Sequence, residues 1–198
     1  MSSDAMRNVV VHARGVTQTS SATQLVKLIA EAALREGKDA VAFGYYNDSP
    51  DRINVPIRFY AGVSSKPIVV SPSYDPPVIE ASVVLDPTML KAWTVGEGVG
   101  GVDVLQGLRK DGILVINTEF KLDELRCFLA RSNFEGKVVT VAAGKIDRAI
   151  HMPMAAVVAQ ASSVVSVQSL REVVEQSMGE EKVMVVDRAC KEAVVEEM

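Results

Sequence analysis

The run RNVVVHA at residues 7–13 constrains the fold more than any other stretch, because it is β-branched and apolar without alternation. A strand wetted on one side alternates apolar with polar residues; one that does not alternate is covered on both faces, as in a parallel sheet between helical layers. The polar stretch RGVTQTSS at 14–21 reads as a loop. Leu25, Leu28, Ile29, Ala32 and Ala33 then recur at helical spacing. Ser20 or Ser21 is placed to supply an N-cap oxygen, and Gly37 stands where a helix stop belongs. AVAF at 40–43 restarts a strand, so the opening predicts a β-α-β unit with a right-handed crossover between parallel strands.

Farther on, the polar stretch between Gly44 and Val55 is a functional-loop candidate. PIRFYAGVSSKPIVVS at 56–71 predicts two extended segments about a Ser-Ser-Lys-Pro turn, a hairpin-like excursion from the main sheet. ASVVLD at 81–86, GILVIN at 112–117 and KVVTVAA at 137–143 complete the strands. Asp86-Pro87 opens a short helix through Trp93, the glycine-rich stretch at 94–103 reads as a connection, and LDELRCFLA at 122–130 is helical. Beyond Gly144 the strands stop, and three helices are expected at about 145–162, 167–178 and 182–195. The expected fold class is α/β. It is a doubly wound, mostly parallel sheet of about five strands with a hairpin excursion and a helical C-terminal tail, forming one domain over residues 1–198.

Charge and cysteine count narrow the chemistry. The 25 acidic and 21 basic residues give a net charge of -4 without a basic field, which argues against nucleic acid and anionic membrane as partners. The apolar runs are far shorter than the roughly 20 residues a membrane helix takes, and the N-terminus lacks the features of a secretory signal, so a cytoplasmic location is expected. Cys127 and Cys190 are too few for a cubane iron–sulfur cluster, which takes four thiolates, and both sit in helical patterns as packing residues. His12 and His151 make a weak metal pair, and neither stands in a recognisable catalytic motif. No catalytic residue and no metal ligand is assigned.

The strand-to-helix junction carries no glycine fingerprint for a dinucleotide, only Gly15. Backbone N–H groups there could hold an anion, with Thr17, Gln18, Thr19 and Ser20 adding donors; the alternative is an ordinary capped loop. Arg52 and Arg58 could clamp a phosphate or carboxylate, or sit in solvated salt bridges with Asp48 and Asp51. Tyr45, Tyr46 and Asn47 could face a partner or pack locally, and Met152-Pro153-Met154 suits a helix start or an apolar contact.

Read together, KLIAEAALREGKDAVAF at 27–43, DRINVPIRFYAGVSSKPI at 51–68, ASVVLDPTML at 81–90, LRKDGILVINTE at 108–119 and MPMAAVVAQASSVVSVQSLREVV at 152–174 resemble one family. It is that of the γ subunits, or γ domains, of pyruvate and other 2-oxoacid:ferredoxin (acceptor) oxidoreductases. The resemblance spans essentially the whole chain. Two family loops differ: a GRGGQG-type loop is replaced by RGVTQTSS, and an RGG triplet appears as Arg52-Ile53-Asn54. The first loop is therefore expected to be a capped helix start without a glycine-lined surface.

The resemblance implies a complex that oxidatively decarboxylates a 2-oxoacid to an acyl-coenzyme A and sends electrons to ferredoxin or another acceptor. It implies thiamine diphosphate, Mg2+, 4Fe–4S clusters and coenzyme A in the complex, with no cofactor bound by this chain alone. The implied partners are α, β and δ-type subunits. By the same resemblance, Arg14, Thr17, Gln18, Thr19, Arg52, Asn54 and Arg58 become candidates for touching coenzyme A or a subunit interface. The reading set against it is a free-standing α/β module that binds a small anion or nucleotide and does no redox chemistry.

Overall fold

The computed structural model describes residues 6–44, 56–69, 76–90, 103–129 and 134–198. Seven strands form one sheet in the order β2-β3-β1-β4-β5-β6-β7. They are β1 (Arg7–Arg14), β2 (Asp39–Gly44), β3 (Pro56–Ser64), β4 (Ile79–Val84), β5 (Leu108–Asn117), β6 (Lys137–Val141) and β7 (Val194–Glu197). The ladders β1–β4, β4–β5 and β5–β6 are parallel, whereas β3 and β7 run antiparallel to their neighbours. Five of the seven strands thus share one direction, and the sheet is mostly parallel, as expected.

The helices are α1 (Gly15–Arg35), α2 (Leu122–Leu129), α3 (Ala143–Ile146), α4 (His151–Ser162), α5 (Val167–Met178) and α6 (Glu180–Glu192). One face of the sheet is covered by α1 and α4, and α5 and α6 pack on the outside of those helices. There Val9, Val11 and Ala13 of β1 meet Leu25, Ile29, Ala32 and Ala33 of α1 in a continuous core. Each fully buried Leu or Ile contributes about 1.5–3 kcal/mol of transfer free energy. Helix α4 is apolar around its whole circumference because α1, α5, α6 and the sheet enclose it. On the opposite face Leu125 and Leu129 of α2 pack on Val84, Leu114, Ile116 and Val138. Helices on both faces are what the non-alternating strands require.

Four expectations are corrected. First, residues 14–21 are not a loop: β1 passes directly into α1 at Gly15, whose φ of +58° makes the turn. Ser20 and Ser21 lie inside the helix, and the N-cap residue Arg14 has no side-chain cap. The hydroxyl residues fit there because Thr17 Oγ1 donates to Arg14 O (3.3 Å) and Thr19 Oγ1 to Gly15 O (3.0 Å). The far end behaves as read. Gly37, at φ +71°, closes a Schellman motif in which its N–H reaches Leu34 O (3.0 Å) and Lys38 N–H reaches Ala33 O (3.1 Å).

Second, β2 does not pair with β1. Strand β3 lies between them, antiparallel to both, so the stretch read as an excursion is a member of the main sheet. Residues 65–69 continue as turn and coil rather than a second arm, pinned where Asp39 accepts Ile68 N–H at 2.7 Å. Residues 70–71 lie outside the described residues.

Third, the helix expected from 145 to 162 is broken into α3 and α4 by a turn in which Asp147 Oδ1 accepts Ala149 N–H (2.7 Å). Fourth, the C-terminal tail is not wholly helical, and β3 and β7 bring the expected sheet of about five strands to seven. Helix α6 ends at Glu192, and Val194–Glu197 hydrogen-bond along β6. Without this strand the β6 edge would present unpaired backbone groups, and the β-branched pair Val194-Val195 suits a strand better than a helix end.

Candidate functional site

The β1–β3 register decides which side chains meet. Residues 10, 12 and 14 of β1 share the face opposite α1, and His12 stands directly across from Arg58. That half of the sheet carries a small cluster of Val10, Tyr60 and Ile79, with Phe43 stacked on Tyr60 at a ring separation of 5.3 Å. Beside it opens a cleft of about 390 Å3 lined by Val10, His12, Arg58, Tyr60, Ile79 and Gln106, among others.

Two short segments wall this cleft. The Pro76–Val78 stretch is fixed by Asn8 Nδ2 donating to Val78 O (3.0 Å). The Gln106-Gly107 turn is fixed by Ile79 N–H donating to Gly107 O (2.8 Å). Arg58 Nη2 donates to Gln106 Oε1 at 2.8 Å, which holds the guanidinium across the opening. His12 is 2% exposed, and its Nδ1 has no hydrogen-bond partner among the described residues. Burial, and then the positive charge of Arg58, lower its pKa to about 3, so the ring is neutral.

A second group forms where β1 meets α1. Arg14 Nε lies 3.4 Å from Asp86 Oδ2, an ion pair without an aligned hydrogen bond. Gln18 Oε1 accepts Arg14 N–H at 2.8 Å. The hydroxyls of Thr17 and Thr19 are engaged with their own helix backbone. The sequence-derived residues therefore fall into two places, with Arg14, Thr17, Gln18 and Thr19 at the helix start and Arg58 in the cleft. Arg52 and Asn54, with Tyr45, Tyr46, Asn47, Asp48 and Asp51, lie outside the described residues.

The sequence gives His12 only as half of a weak metal pair, because what a polar residue in an apolar strand can do depends on the strand opposite it. Elsewhere, Cys190 on α6 is half-buried with Sγ 3.8 Å from Ala156 O, and burial raises its pKa, as suits a packing thiol. Cys127 lies on α2. Met152, Pro153 and Met154 are buried in the first turn of α4. Among the described residues no group of three or more His, Cys, Asp or Glu could hold a metal ion, and no helix is long and apolar enough to cross a membrane. With two cysteines, the chain does not fit an iron–sulfur cluster of its own.

Comparison with known proteins gives this architecture a context. The model of the family "Pyruvate ferredoxin/flavodoxin oxidoreductase" matches residues 17–194. The chain belongs to that family. A curated relative in Pyrococcus furiosus, the pyruvate/ketoisovalerate oxidoreductases common subunit gamma, is 30% identical over 193 residues, covering 95% of each chain. The protein of the same description in Thermococcus kodakarensis is 28% identical, covering 98% of this chain and all of that one. The crystal structure of pyruvate oxidoreductase subunit PORC from Thermotoga maritima superposes with a TM-score of 0.71 at 23% identity, over 97% of this chain and 99% of that one. The α/β fold with its C-terminal helices is thus the fold of this oxidoreductase family. Both described parts of the candidate site except its first residues, Arg14 among them, fall within the family match.

Proposed function

We propose that this chain is the γ-type subunit of a 2-oxoacid:acceptor oxidoreductase, a complex that oxidatively decarboxylates a 2-oxoacid to an acyl-coenzyme A. Electrons pass to ferredoxin or another acceptor. The observation that carries this reading is the family match over residues 17–194, joined by near end-to-end similarity to relatives described as a common subunit gamma. A free-standing anion-binding module is not favoured, because it leaves that end-to-end similarity without a reason.

Thiamine diphosphate with Mg2+, when bound in the complex, supplies the carbanion chemistry, and clusters carry the electrons. Neither belongs to this chain, whose two cysteines fall short of a cluster's ligands. The partners of this reading are the α, β and δ-type chains that hold those groups. The part played by this chain is architectural: it packs on the thiamine-bearing chains and borders the approach of coenzyme A. Arg14, Thr17, Gln18, Thr19, Arg52, Asn54 and Arg58 are the residues proposed to face that approach or the neighbouring subunits.

Purification of the tagged chain from its native cells tests the reading. Co-purifying larger chains and a brown colour support it. A lone, colourless protein would contradict it and favour the free-standing module.

A further inference from the structure

Three features of the β1–β3 cleft are unaccounted for by a subunit that only fills space. A guanidinium sits at its rim with a neutral amide, Gln106, as its hydrogen-bond partner and no carboxylate paired with it among the described residues. Facing it across the ladder is a buried imidazole whose Nδ1 lacks any partner among the described residues. The space between is open, about 390 Å3, and is bordered by Val10, Tyr60, Ile79 and two prolines.

Buried polar groups are normally satisfied, and a cation beside them is normally neutralised. An oxyanion placed here would do both at once, taking charge-assisted bonds from Arg58 and a hydrogen bond from the imidazole. The charge of the site limits that anion. Among the described residues Arg58 is its single cation, since the buried ring stays neutral, which suits a monoanion better than a phosphate dianion. The apolar border suits an organic body attached to the charge, as in most small-molecule sites.

We propose that the cleft between β1 and β3 is a binding site for a short-chain organic carboxylate, its charge held by Arg58 and His12 and its apolar body by Val10, Tyr60 and Ile79. The site is built on paired strands, so the His12–Arg58 juxtaposition persists without ligand. It rests on the subunit reading only for which acid arrives. Because the test is made on the full chain by itself, its failure leaves the co-purification result untouched.

The chain has two histidines, so the imidazole signals in a proton–nitrogen NMR spectrum are two and assignable. Titration with isobutyrate is expected to shift the His12 ring saturably while His151 stays fixed. Inorganic phosphate at equal ionic strength should bind about tenfold or more weakly. Arg58→Gln should lose about tenfold or more in isobutyrate affinity, with Arg58→Lys recovering part of it at an unchanged melting temperature. Three results would overturn the proposal: no saturable shift, an equal shift in Arg58→Gln, or phosphate binding as tightly as isobutyrate.

Discussion

His12 and Arg58 are cross-strand partners in the β1–β3 ladder, a buried neutral ring opposite a half-buried cation. The pair has a consequence for stability. The folded-state pKa of His12, about 3, lies below its ordinary value of 6.5, so between those values the unfolded chain binds a proton that the folded chain refuses. The contribution of His12 is complete above pH 6.5 and declines as pH falls toward 3. Melting temperature should therefore drop between about pH 7.5 and pH 5.5, and the drop should shrink in His12→Asn. His151, whose pKa burial also lowers, contributes in the same direction. An unchanged pH dependence in the variant would show that His12 is not buried as described.

Glu36 joins the end of α1 to the start of α5. Its Oε1 accepts Ser166 N–H at 2.6 Å and the Ser169 hydroxyl at 2.9 Å, while Lys38 Nζ lies 2.6 Å from Oε2. Burial works against the charge, but Lys38 first, then Ser166 and Ser169, override it and lower the pKa to about 2. This stabilisation is present above pH 4.5 and is lost as pH falls toward 2, a window separate from that of His12. Glu36→Gln should cost about 1–2 kcal/mol in urea unfolding at neutral pH and almost nothing at the acid end.

The last strand protects an edge. Strand β7 covers β6 from Lys137 to Thr140, Met198 N–H donates to Gly136 O (3.0 Å), and Arg126 Nη2 meets Glu196 Oε2 at 3.2 Å. Ending the chain at Ala193 should expose the β6 backbone and leave a strand available for edge-to-edge pairing. Faster amide exchange in β6 and concentration-dependent light scattering are the expected results. A truncated chain that stays monomeric with protected β6 amides would make β7 a passive appendage.

Much of this was legible in the sequence, and the remainder was hidden for a physical reason. Val9 to Val11, Leu25 to Ala33 and the strands near 114 and 139 declare themselves through burial and period, which are local signals. The position of β3 between β1 and β2 is set by pairing, which no residue of β3 announces. Thr17, Thr19, Ser20 and Ser21 read as loop because isolated hydroxyl residues prefer caps and turns, whereas here two of them are satisfied by carbonyls of the preceding turn. Val194-Val195 looked like a helix end because the edge that captures it lies far away in sequence. His12 acquired its significance only through Arg58.

The start of α1 carries a further expectation. Because Thr17 is inside the first turn, restoring a family-like glycine there does not recreate a flexible loop. Thr17→Gly should instead lower stability by a few tenths of a kcal/mol up to about 1 kcal/mol, read by thermal unfolding.

As the γ-type subunit of a 2-oxoacid oxidoreductase, this chain is expected to be required for the activity of the complex. The direct measurement is 2-oxoacid-dependent reduction of a viologen dye by the complex isolated from native cells, compared with the complex from cells lacking this chain and with the same preparation after the purified chain is added back. The account predicts activity in the first, loss in the second and recovery in the third. Equal dye reduction by all three would contradict it.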